Sequence, residues 1–190
     1  MPDHPLLLPT VTGPVQRFAR QIASHGYIVA APSSYHEFTG PEALAYDGPG
    51  TDNGNAWKVA KKLSAYDEDA TLSVDILTAL EMCNGRIGAT GMCLGGHLAF
   101  RCAMDSRVRA AVCYFATDIH SHSLGEGKRD DSLQRVKDIK GELVMVCHTP
   151  FRPSFTFTML TSYPRFLAKE TTTSRPKAAI SSARRCMMRV

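Results

Sequence analysis

The stretch Gly88-Ala-Thr-Gly-Met-Cys-Leu-Gly-Gly-His-Leu-Ala-Phe100 constrains the fold of this chain more than any other. The short apolar run RIGAT has the character of a buried strand. LGGHLAFRCAM, only three residues further on, has helical spacing. A strand that passes into a helix across so short a turn fits a parallel sheet, where each strand is followed by a helix that returns the chain. The flanking sequence repeats the pattern. TGPVQRFARQIASHG predicts a helix, with Thr12 at its N-cap, Pro14 in the first turn, Gly26 past the end, and Val15, Phe18, Ala19 and Ile22 on one face. YIVAAP is a nearly all-apolar strand. Residues 32–56 read as a long loop. Tyr66–Met82 reads as a helix with Leu72, Ile76, Leu77 and Leu80 inward. RAAVCYFA is a strand, DDSLQRVKDI a helix and ELVMV a further strand. The expected fold class is α/β, with a mostly parallel sheet and helices on both faces.

In such a sheet, chemistry gathers at the carboxyl ends of the strands. Gly91-Met92-Cys93-Leu94-Gly95 has the form G-x-C-x-G at that edge. The glycines leave room for a strained turn that lifts the middle residue clear of strand and helix. The turn would also set the Cys93 sulfur at a helix N-terminus, where the dipole favours thiolate over thiol. The N–H of Leu94 would then serve as one oxyanion donor. Cys93 is the expected nucleophile; the alternative is a small apolar residue in a turn whose glycines only permit close packing.

Length and charge bound the rest. The 190 residues suit one domain, and with 44% hydrophobic and 21% charged residues the chain reads as soluble and globular. No apolar run approaches the roughly 20 residues that cross a bilayer, and MPDHPLLLP is a poor secretory signal. Six cysteines without CxxC spacing read as thiols of a reducing compartment, which places the chain in the cytoplasm. The net charge of +4 is unevenly spread: residues 151–190 carry +7 and the remainder −3. Residues 1–146 are therefore expected to form the core, and 147–190 a basic, Ser/Thr-rich, disordered tail. Its charges lack aromatic interleaving, so no nucleic-acid partner is expected. The Gly40–Gly54 region has no phosphate-loop pattern after a strand, so no cofactor is implied.

GRIGATGMCLGGHLAFRCA followed by AAVCYFA resembles the dienelactone hydrolase family (carboxymethylenebutenolidase-like, of the α/β-hydrolase superfamily). GYIVAAPSSY and YDEDATLSVDIL fit the same family in order and spacing, so the resemblance runs from about Val11 to Val146. It implies hydrolysis of a small-molecule ester or lactone: a cysteine thiolate attacks the carbonyl, and a histidine oriented by an aspartate activates water. The family's aspartate would follow ELVMV, and its histidine would come later. Here CHTPFRPSFTF follows, with no aspartate after Asp138 and no histidine after His148. The family's acidic-apolar-aromatic stretch before the first helix is likewise replaced by LLLPT, with Leu7 where the acid belongs. Against the family the chain reads as truncated at its start and aberrant beyond about Cys147, as a shifted frame or retained intron would make it. The alternative function is thus a catalytically inactive product, at most a ligand-binding remnant.

Further candidates cluster at the same sheet edge. Tyr35 and Glu37 follow YIVAAP, with Glu37 standing where the family's bacterial members carry a substrate-holding arginine; that substitution disfavours an anionic lactone. Tyr114, His120 and Trp57 are pocket candidates. Asp118, His120 and His122 contain metal-ligand types, yet no fourth ligand follows at a recognisable spacing, so no metal is expected. His97 is expected to be structural, and His148 is the alternative base for Cys93.

Overall fold

Thr12 stands at the N-cap of the first helix as its position predicts, though without a side-chain capping bond, and Pro14 occupies a first turn whose N–H groups have no helical partner anyway. This helix, α1 (Gly13–Ala23), buries Ala19 and half-buries Val15, Phe18 and Ile22. Gly26 then takes φ +85°, a left-handed value that lets the chain turn directly into strand β1 (Tyr27–Ala30). The computed structural model describes residues 12–40 and 42–147, and the strands at 156–161 and 184–189.

Beyond β1 the chain departs from the expected long loop. A short helix, α2 (His36–Thr39), is followed by α3 (Gly48–Ala60). Asp47 caps α3, its carboxylate accepting from Gly50 N at 2.7 Å, and Pro49 sits in the first turn. Three glycines in this segment lower its helix propensity, and the cap outweighs them.

Helix α4 (Leu63–Ala79) starts three residues before its predicted position, and its inward face is also rotated. Tyr66, Ser73, Val74 and Leu77 are buried, whereas Leu72 and Ile76 are 52% and 49% exposed. The expected inward set was the apolar one. The observed set instead lets Tyr66 and the acids beside it reach α3 and α5, a choice made by cross-chain pairing rather than by apolar periodicity.

Strand β2 (Cys83–Met92), helix α5 (Leu94–Cys102), strand β3 (Val108–Tyr114) and strand β4 (Glu142–Cys147) follow in the predicted order. The segment predicted as a helix before β4 is only a 3₁₀ turn, Gln134–Asp138. Two further strands, β5 (Thr156–Thr161) and β6 (Arg184–Arg189), complete a six-stranded sheet in the order β1-β6-β2-β3-β4-β5. Every pairing is parallel except that of β5 with β4. Both strands fall within the segment 147–190 that was expected as a tail, and most of the remainder of that segment lies outside the described residues.

The main core lies between this sheet and the helices α4 and α5, where Val74, Leu77, Ile87, Ala89, Ala99, Phe100, Val108, Ala111 and Leu143 pack together. Cys102 and Cys113 belong to it, and burial pushes each thiol up to about 12. Cys83 is disulfide-bonded, which corrects the expectation of six thiols.

Gly96 shows how tightly α5 is seated. A Cβ there would lie 2.8 Å from the carbonyl oxygen of Tyr114 and 3.1 Å from Ala116 Cα, both backbone atoms. Helix propensity alone would favour alanine by about 1 kcal/mol. The backbone contact reverses that sign, so Gly96→Ala should lower stability by about 2 kcal/mol, as overpacking does. Chemical denaturation checks it, and an unchanged or higher midpoint would contradict the close approach.

Candidate active site

The last residue of β2 and the first of α5 are separated by Cys93 alone. Cys93 has φ 56° and ψ −119°, a conformation that side chains other than glycine rarely adopt. Three backbone bonds hold it there. Its N–H donates to Tyr114 O at 2.9 Å, and its carbonyl accepts from His97 N at 3.2 Å and Thr117 N at 3.3 Å. The bend is therefore clamped by β3, by the loop beyond β3 and by the first turn of α5. Its side chain is exposed at the carboxyl edge of the sheet, at the start of a helix.

Leu94 is the first residue of α5, and its half-buried side chain packs with Tyr35 and Leu63 against Tyr66, Leu98 and Leu124. This satellite cluster includes Tyr35, one of the expected pocket residues. The Tyr35 hydroxyl donates to Gly54 O at 3.0 Å, tying the end of β1 to α3. Burial raises the Tyr35 phenol to about 12 against a lowering hydrogen bond from Tyr66, and the nearby charge of Cys93 adds to the rise. Tyr35 therefore stays protonated, a donor within electrostatic reach of the sulfur. Trp57 meets Tyr35 edge-on at 5.8 Å and stacks on Phe38 at 5.4 Å.

Charges ring these aromatic groups. The Lys61 ammonium is fully buried, 2.6 Å from Asp69 Oδ2, 3.1 Å from Ser34 O and 3.8 Å from Glu37 Oε1, and it lies over the Tyr66 ring. Lys58 pairs with Asp118. Glu37 is exposed in α2 beside His36, which bonds Asp69 at 3.1 Å. Tyr114 is half-buried, and the elbow uses its carbonyl oxygen. His120 is exposed, whereas His122 Nδ1 donates to Asp130 O at 2.8 Å. Among the described residues no group of three His, Cys, Asp or Glu is placed to hold a metal ion. His148 lies outside the described residues.

The largest feature that sequence reasoning missed lies under the elbow. His97 is fully buried, its Nε2 2.8 Å from Ser132 Oγ and 3.2 Å from Asp130 Oδ2. Arg101, one turn on, donates through one terminal nitrogen to Asp130, Asp131 and Ser132 and through the other to Asp67. The loop before β4 is thereby locked onto α5. The available signal was the polar pair His97 and Arg101, four residues apart in an otherwise apolar helix, which puts both on one face.

A cysteine on a strand–helix elbow, at the carboxyl edge of a largely parallel sheet, gives this chain a partial α/β-hydrolase fold. The chain belongs to the dienelactone hydrolase family, whose model matches residues 9–146. It is 56% identical over 143 residues to a Saccharomyces cerevisiae (strain ATCC 204508 / S288c) protein called "Putative carboxymethylenebutenolidase", a match covering 73% of this chain and 52% of that protein. The chain thus spans about half the length of the curated relative it matches. No solved structure matches. No helix among the described residues is long and apolar enough to cross a membrane.

Proposed function

We propose that this chain cleaves a small-molecule ester or lactone by acyl transfer to Cys93. The Cys93 thiolate attacks the carbonyl carbon, the C–S bond forms, and the C–O bond to the leaving alcohol breaks. The Leu94 N–H donates to the oxygen that gains charge. Water then releases the acid and regenerates the thiolate. The observation that carries this reading is the left-handed conformation of an exposed Cys93 at the head of α5. The family, and the name its yeast relative bears, point to the same chemistry.

A second reading has its own support. Among the described residues no imidazole is hydrogen-bonded to Cys93: His36 bonds Asp69, His97 bonds Ser132 and His122 bonds a backbone carbonyl. A thiol without a base acylates once and stalls, leaving an inactive, ligand-holding remnant. Incubation with 4-nitrophenyl acetate, followed by mass analysis of the intact chain and its peptides, separates the two. We expect one acetyl group on Cys93 and none on buried Cys102 or Cys113. Nitrophenolate released beyond one equivalent supports the full hydrolase, and arrest at one equivalent supports the remnant. Acetylation of exposed Cys147 in place of Cys93 would overturn the nucleophile assignment.

A further inference from the structure

The groups beside Cys93 also bear on which esters can reach it. Tyr35 and Leu94, the residue after Cys93, pack against the same buried cluster, Trp57 meets Tyr35, and Phe38 lies flat on Trp57. The three rings form a continuous run from that cluster to Phe38, which is 39% exposed. Met92, immediately before Cys93, and Phe115, immediately after β3, are exposed as well. Apolar surface is therefore concentrated where a substrate would enter.

The charges around this run have the opposite sign from those that would hold an anion. Lys61 is enclosed and faces two carboxylates, Asp69 and Glu37, so that group nets one negative charge. Lys58 is neutralised by Asp118. Lys58 in α3 and Lys61 at its C-cap are thus both engaged, while Glu37 remains at the surface. A carboxylate on the substrate would find a screened repulsion here in place of a bidentate donor.

We propose that the substrate of this site is an uncharged ester with an aromatic or extended apolar arm, laid along Tyr35, Trp57 and Phe38, with Glu37 excluding carboxylate-bearing substrates. This rests on the reading of Cys93 as nucleophile. The thiolate takes the acyl group from the ester oxygen, and the leaving oxygen departs as an anion that solvent protonates.

The test uses methyl 4-acetoxybenzoate and 4-acetoxybenzoate, which deliver the same acetyl group and differ in the charge of the arm. Acetylation of Cys93 is followed by mass, and each rate is normalised to that of the same ester with a small free thiol. The neutral ester should react about tenfold faster, the order expected of a partly screened carboxylate pair. Glu37→Gln should narrow that ratio roughly fivefold, because it removes one charge and keeps the shape. Phe38→Ala should slow the neutral ester severalfold through lost ring contact. Equal normalised rates, a faster anionic ester, or a ratio unmoved by Glu37→Gln would overturn the substrate class while leaving Cys93 as nucleophile. Failure of both esters to acetylate Cys93 would overturn both readings together.

Discussion

Asp130→Ala should cost about 3–5 kcal/mol, close to the whole stability of many single domains. Asp130 is buried between α5 and the loop before β4, and its Oδ1 accepts from Arg101 at 3.0 Å, from Ser132 N at 3.0 Å and from Ser132 Oγ at 2.5 Å. Alanine leaves a hole beside the Arg101 guanidinium and the His97 ring and removes the buried counter-charge that both face, so their desolvation is less well compensated. The effect reaches the elbow, because His97 N also donates to the Cys93 carbonyl. Urea unfolding measures it, and a loss below about 1 kcal/mol would mean that the buried cluster contributes little.

The same residue predicts the acid limit of the fold. Burial works to raise the Asp130 carboxyl, yet the hydrogen bonds from His97 and Ser132 more than offset it and bring it down to about 2. The unfolded value is near 4, so the folded state holds the proton less tightly. Its contribution is full above about pH 4 and is lost as pH falls toward 2, amounting to roughly 2 kcal/mol. Asp130→Asn should therefore flatten the stability curve between pH 4 and 2. A variant curve parallel to that of the wild type would contradict the assignment.

Cys93→Gly should separate stability from chemistry. A residue with a side chain held at φ 56° and ψ −119° carries a strain of about 1–3 kcal/mol that glycine does not. Part of the gain is offset by glycine's greater freedom when unfolded, which leaves about 1 kcal/mol of net stabilisation. Acyl transfer, by contrast, should vanish completely, since the proposed reaction uses the sulfur as its attacking atom. Cys93→Ala should lose the reaction equally but keep the strain. A glycine variant no more stable than the alanine one would show that the bend costs the fold nothing, and residual acylation of either would place the nucleophile elsewhere.

How much of this could be read beforehand differs from element to element. The elbow was readable because its determinants are contiguous: a strand, G-x-C-x-G and a helix lie within Gly88–Phe100. The alternation of strands and helices was readable for the same reason. Helix α3 was overlooked although Asp47 and Pro49 announce it, because its glycines argued for a loop. The inward face of α4 was assigned to Leu72 and Ile76 on apolarity, and both proved exposed. The buried pairs Lys61–Asp69 and Arg101–Asp130 join residues from different elements, 29 positions apart in the second case, and no periodicity within one segment can report such a partner.

Local pattern thus decided the class of fold and the position of the elbow at Cys93, since backbone strain, helix start and strand burial depend on neighbours a few residues away. Tertiary packing alone decided which charges are neutralised and which remain at the rim. A lysine or carboxylate is driven inside only when its counter-charge arrives from another element, as Asp69 does for Lys61 and Asp130 for Arg101.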